Sequence, residues 1–141
     1  MKQVTLLLLL LFSIGAFAQD EFLTFEDALL EAEEDDKPIM LVFSGSDWCK
    51  PCIELKKNIL ESESFDKVKQ KLIYMNLDFP YKKVNKLSKK QTRHNEQLAD
   101  RYNKQGHFPR VVLVNSTEEV VREVSYLKGM TPEEFIELLK L

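Results

Sequence analysis

Ile39-Met40-Leu41-Val42-Phe43-Ser44-Gly45-Ser46-Asp47-Trp48-Cys49-Lys50-Pro51-Cys52 takes the chain from an apolar run through a short turn into a pair of cysteines. Ile39 to Phe43 shows no polar alternation and is bounded by Pro38 and Gly45, so it reads as a central strand covered on both faces. Ser44 to Asp47 supply the turn. Trp48 to Cys52 open a helix, and Pro51 fits its first turn, where a missing amide hydrogen has no intrahelical partner to lose. Ile53, Leu55, Ile59 and Leu60 give that helix an apolar stripe.

Upstream, Thr24 with Asp27 three residues on marks a helix start, and Phe25, Ala28, Leu29 and Ala32 follow at helical spacing. Lys37-Pro38 ends it. Downstream, Ser64 to Lys71 reads as a short helix capped by Ser64, and Leu72 to Phe79 returns to strand character. Pro80 to Arg93 is irregular and carries six basic residues with no acid (Lys82, Lys83, Lys86, Lys89, Lys90 and Arg93). Asn95 to Asn103 reads as a helix with Leu98, Ala99 and Tyr102 inward. Val111 to Val114 and Val120 to Tyr126 form an antiparallel hairpin across Asn115-Ser116-Thr117-Glu118. Thr131-Pro132-Glu133-Glu134 is a capping box with proline at the first helical position, opening a C-terminal helix with Phe135, Ile136, Leu138 and Leu139. Strands alternating with helices and then a hairpin predict an α/β fold, a mixed sheet with helices on both faces.

The cysteine pair carries the chemistry. A disulfide closing so small a loop removes little entropy from the unfolded chain, so it makes a poor brace and a plausible switch. The positive end of a helix favours an anion, and Lys50 adds a positive charge, so Cys49 is expected to ionise below a free thiol. A thiolate is the species that attacks a disulfide. Cys52, one turn further in, is expected to be more buried and to suit the second attack, on the mixed disulfide. One C-x-x-C with two scattered histidines falls short of a zinc site. Ile53 stands where a c-type haem site needs histidine. No metal and no cofactor beyond the cysteine pair itself is expected.

Trp48-Cys49-Lys50-Pro51-Cys52 after an apolar strand resembles the W-C-x-P-C motif of the thioredoxin-like family. Phe108-Pro109 before a valine-rich strand resembles that family's cis-proline loop. The resemblance implies a thioredoxin-like fold and a thiol–disulfide oxidoreductase, with Cys49 attacking and Cys52 resolving. It implies a cis Pro109 that shapes the substrate groove and keeps metal ions from the thiols, with Trp48 and Phe108 bordering the groove. Lys-Pro between the cysteines looks closer to reducing thioredoxins than to oxidants, in a fold whose potentials span about −270 to about −120 mV. Two departures stand out. The family carries a buried acid on the strand beneath the cysteines, whereas Ile39 to Phe43 is wholly apolar and neither Asp47 nor Glu54 is placed to replace it. The segment 80–93 is longer and more basic than the family core requires. The competing reading is a client-binding or folding-helper protein of the same fold with little redox turnover.

Lys2, the run Leu6 to Phe12 and Ala16-Phe17-Ala18 predict a signal peptide over 1–18 and a single thioredoxin-like domain over 19–141. The leader is short of the roughly 20 apolar residues a spanning helix needs, so no stable membrane insertion is expected after cleavage. The setting is then the periplasm or the exterior, a bacterial envelope by resemblance, with protein thiols and disulfides and an unidentified redox protein as partners. The net charge of −3 argues against a nucleic-acid binder. A monomer is expected. His94 reads as surface, His107 as a loop residue near Pro109, and the basic run as a solvated loop whose sharper reading is contact with an acidic partner.

Overall fold

The computed structural model describes residues 22–141, so the leader expected over 1–18 lies outside the described residues. The α-helices and strands among the described residues come in the order that local patterning predicts. Thr24 caps α1 (Phe25–Asp35) by accepting the Asp27 N–H, and Asp36 closes it in a left-handed conformation at φ 52°. β1 (Ile39–Ser44) follows, buried until its last residue. Cys49 then caps α2 (Lys50–Leu55), which runs directly into a π-helical stretch at Lys56–Leu60. This wider turn, in which the Lys56 N–H is shared between the carbonyls of Cys52 and Ile53, brings Leu55, Ile59 and Leu60 onto one buried face. Ile53 is not part of that stripe: one residue past the inward Cys52, it turns about 100° round the helix and is 44% exposed.

α3 (Glu63–Lys69) is capped two positions earlier than its sequence suggests, by Ser62, which accepts the Phe65 N–H. Ser64, expected in that role, instead donates to Glu133. β2 (Ile73–Asp78) alternates, with Ile73, Met75 and Leu77 inward. α4 (Lys89–Tyr102) starts six residues before the expected Asn95, capped by Ser88. Its first turns hold Lys89, Lys90, Gln91, Thr92 and Arg93, which show no apolar period, so the start is invisible to patterning. β3 (Arg110–Val114) and β4 (Val120–Val124) form the hairpin, and α5 (Pro132–Leu139) carries the complete capping box of Thr131 and Glu134.

The sheet order is β2-β1-β3-β4, with β1 parallel to β2 and antiparallel to β3. Successive residues of a strand point to opposite faces, and β1 feeds a separate cluster on each. Ile39, Leu41 and Phe43 pack with Phe25 and Ala28 of α1 and with Leu98 and Tyr102 of α4. Met40 and Val42 pack with Leu55, Ile59, Phe65, Phe135 and Leu139 from α2 and its π-helical continuation, α3 and α5. Helices thus cover both faces, as the order of elements predicts. No helix among the described residues is long and apolar enough to cross a membrane.

Candidate active site

The carboxyl end of β1 is where the parallel and antiparallel halves of the sheet meet, and the turn that leaves it holds the cysteines. The Cys49 N–H donates to the Gly45 carbonyl at 2.9 Å, which brings the chain round to start α2. Gly45 is required by close approach: a Cβ there would stand 2.3 Å from the Trp48 indole. Cys49 is the cap residue itself, in extended conformation, and its Sγ accepts the Cys52 N–H at 3.3 Å. The two cysteines are joined as a disulfide with Cα atoms 5.2 Å apart. When reduced, the same N–H would face a Cys49 thiolate, and an amide donor together with a helix start stabilises the charged form.

Cys49, expected to be less buried than Cys52, is itself closed off. It is 4% exposed and Cys52 2%.

Trp48, directly before Cys49, touches Phe108, the residue before Pro109. The Phe108-Pro109 peptide is cis. Trp48 is 51% exposed, with its ring edge-to-face on Phe108 at 5.3 Å between centroids, and Phe108 meets Phe79 in the same way at 5.5 Å. Trp48 Nε1 donates to the Phe79 carbonyl at 2.7 Å, satisfying its polar end while the ring face stays at the surface. Phe79 in turn donates its N–H to the Ser44 carbonyl at 2.8 Å, so the end of β2 is sewn to the end of β1 beside the cysteines.

Four polar residues that sequence reasoning did not single out for this purpose hold the surroundings. Asp78 accepts from both the N–H and the hydroxyl of Ser46, fixing the turn before Trp48. Asp47 accepts from the backbone N–H groups of Tyr81 and Lys82 and from Asn85 Nδ2 at 2.8–2.9 Å. Asn95, buried, donates to the Asp78 carbonyl. Asn103, also buried, donates Nδ2 to the His107 carbonyl and accepts the His107 N–H, which sets the path into Phe108-Pro109. A buried asparagine inside a helix was the available sign, since burial of an amide requires partners.

The histidines divide differently from expectation. His107 has an exposed side chain and contributes its backbone to the loop. His94 is not plain surface: its Nε2 accepts the Phe25 N–H at 2.9 Å, and its ring lies edge-to-face on Phe22 at 5.1 Å. A free amide at the start of α1 accounts for its half-buried position. Asn95 and Asn103 are the buried polar residues among those described, so β1 carries no carboxyl beneath the cysteines, as its apolar sequence implies.

A thioredoxin-like family model matches residues 19–116. The disulfide bond reductase DsbH of Chlamydia pneumoniae is 31% identical over 115 residues, which is 81% of this chain and 68% of that protein. A solved structure of a DsbH oxidoreductase superposes with a TM-score of 0.76 at 29% identity, covering 85% of this chain and 81% of the other. A thioredoxin from Thermus thermophilus, 19% identical, superposes with a TM-score of 0.56 over 83% of this chain and 82% of its own, and shows the shared fold. With the strand–turn–helix start, the paired cysteines, the cis proline loop and these matches together, the chain belongs to the thioredoxin-like family, as a thiol–disulfide oxidoreductase whose redox-active pair is Cys49 and Cys52.

Proposed function

We propose that this enzyme works as a reductase of protein disulfides outside the cytoplasm, with Cys49 as the attacking residue and Cys52 as the resolving one. The observation that carries the assignment is the position of Cys49 as helix cap, with the Cys52 N–H aimed at its sulfur. In the reduced enzyme the Cys49 thiolate attacks one sulfur of the substrate disulfide, forming a mixed disulfide and releasing a substrate thiolate. Cys52 then loses its proton to water, since no buried carboxyl lies beneath it, and attacks Cys49 Sγ. The substrate leaves with both sulfurs reduced, and two electrons have passed from the enzyme, which now carries the Cys49–Cys52 disulfide. A dithiol protein restores the reduced form, and no cofactor beyond the cysteines takes part.

Trp48, Phe108 and Pro109 form the groove that receives the substrate chain. Support for reduction comes from the name of the Chlamydia pneumoniae relative, a disulfide bond reductase, and from Lys50-Pro51 between the cysteines. Support for an extracytoplasmic setting comes from the leader-like sequence over 1–18.

The Cys52→Ala variant tests the order of attack. It is expected to accumulate mixed disulfides with substrate through Cys49, seen as a mass shift reversed by dithiothreitol, while Cys49→Ala accumulates none. Trapping through Cys52 instead would reverse the assignment. A reduction potential for the pair far above the thioredoxin value of about −270 mV would reverse the direction.

A further inference from the structure

Pro80 to Leu87 takes part in none of these steps, yet it is built against the redox motif. Its start is held by Trp48 through the Phe79 carbonyl, and the loop by Asp47, two residues before Cys49, which accepts from the Tyr81 and Lys82 N–H groups and from the Asn85 side chain. A single 3-10 turn at Lys83–Asn85 completes it. With the loop held this way, five of its side chains stand in solvent. Tyr81 is 87% and Val84 88% exposed, and Lys82, Lys83 and Lys86 are exposed between them. Nothing in the core needs an aromatic ring and a valine in those positions.

None of these lysines belongs to an ion pair among the described residues. Between the loop and α4 lies a groove of about 400 Å³, lined by Lys82, Lys83, Lys86, Leu87, Thr92 and Glu96, with Asp78 at its end. Ser46 gives the Asp78 carboxylate neutral donors and leaves its charge in place, so the groove sets three cations against Asp78 and Glu96, with Asp47 beside Lys82. A fixed loop, rather than a mobile one, presenting unpaired cations around apolar side chains is complementary to carboxylates on an extended chain.

We propose that the loop 80–87 is a docking rim for an acidic segment of the partner protein, rich in Asp and Glu and flanking the cysteine whose disulfide is exchanged. Lys82, Lys83 and Lys86 take its carboxylates, and Tyr81 and Val84 take its apolar stems, next to the groove at Trp48. The assignment rests on the exchange reading above, because the segment it selects is the one that brings a disulfide to Cys49.

Two peptides decide it. They share a central sequence with serine in place of the cysteines and differ only in flanks of four glutamates or four lysines. Calorimetry with the full enzyme is expected to show the glutamate peptide binding roughly tenfold tighter at low salt, as suits a few partly screened charge contacts. The ratio is expected to collapse near 0.5 M salt, where screening is nearly complete within a few ångströms. In Lys82→Glu/Lys83→Glu/Lys86→Glu the preference is expected to reverse toward the lysine peptide, which a misfolded variant cannot mimic. Equal binding, no binding of either peptide, or a glutamate preference that survives in the variant overturns the proposal. Cystine versions of the same peptides separate the two readings: a wild-type enzyme that prefers the glutamate peptide but exchanges with neither keeps the docking rim and loses the proposed reaction.

Discussion

Asp47 links the redox motif to the loop beside it. The Tyr81 N–H, then Asn85 and the Lys82 N–H, all donate to its carboxylate, and with the Lys82 charge they hold its carboxyl below the usual carboxylate range. A carboxyl whose folded pKa is depressed stabilises the fold above its unfolded value of about 3.9 and loses that contribution as pH falls through the folded value. The clamp is therefore closed at neutral pH and opens only in strong acid. In Asp47→Asn, the protection factors of the Tyr81 and Lys82 amides in hydrogen exchange are expected to fall severalfold at neutral pH. Wild-type protection is expected to hold at and above the unfolded carboxyl value of about 3.9 and to be lost only as pH falls below that through the folded value. Identical protection in the two proteins would mean that the loop is held by something other than this carboxylate. Burial, and then the charge of Glu54 on α2, raise the pKa of the Tyr126 phenol.

α4 is the element that organises the far side of the active site. Its apolar residues Leu98 and Tyr102 anchor it on the sheet, and its two buried asparagines then act at a distance from the cysteines. Asn95 holds the end of β2, and Asn103 holds the approach to Phe108-Pro109. Arg110 adds to this by donating Nε to the Tyr102 carbonyl at the helix end and pairing with Glu123 of β4. Removing Asn103 leaves the His107 N–H and carbonyl without their partners. Asn103→Ala is expected to cost about 1–3 kcal/mol in urea denaturation. It is also expected to slow exchange with protein disulfides more than with a small aromatic disulfide, because the groove wall and not the sulfur pair is loosened. Equal slowing of both substrates would remove Asn103 from the positioning of that wall.

The molecule depends on β1 being shared by two cores, since both clusters are assembled on its alternate residues. α5 completes the second of them. It lies beyond the residues matched by the family model, yet Phe135 is fully buried and Leu139 nearly so. Phe135→Ala is expected to destabilise the whole protein by about 3–5 kcal/mol, the range for emptying a buried phenylalanine site, with one cooperative urea transition shifted to lower midpoint. A second, separate transition would show that α5 melts on its own and that the rest of the sheet does not need it. Tyr74, half-buried beside Phe65 in the same cluster, has its phenol pushed up to about 12 by burial and by Glu61. Its raised value keeps it neutral in the fold, so its contribution is intact below about pH 10 and is lost as pH rises toward the folded value.

What could be read without a structure was whatever is written in neighbouring residues. An unbroken apolar run made β1 a central strand, threonine caps marked α1 and α5, and W-C-K-P-C after that strand located the cysteine pair at a helix start. Apolar period and capping are local, so the sequence by itself determined the order of elements, the two-sided sheet and the place of the redox pair. Tertiary structure alone decided which polar groups meet. Trp48 reaches Phe79 across 31 positions, Asp47 reaches Tyr81 across 34, and His94 reaches Phe25 across 69. Such bonds join a side chain to a distant backbone group, and a backbone group is the same in every residue, so no pattern of side chains announces the partner. The start of α4 and the covering of Cys49 were hidden for related reasons: a polar helix turn has no apolar period, and burial depends on what the rest of the chain lays against it.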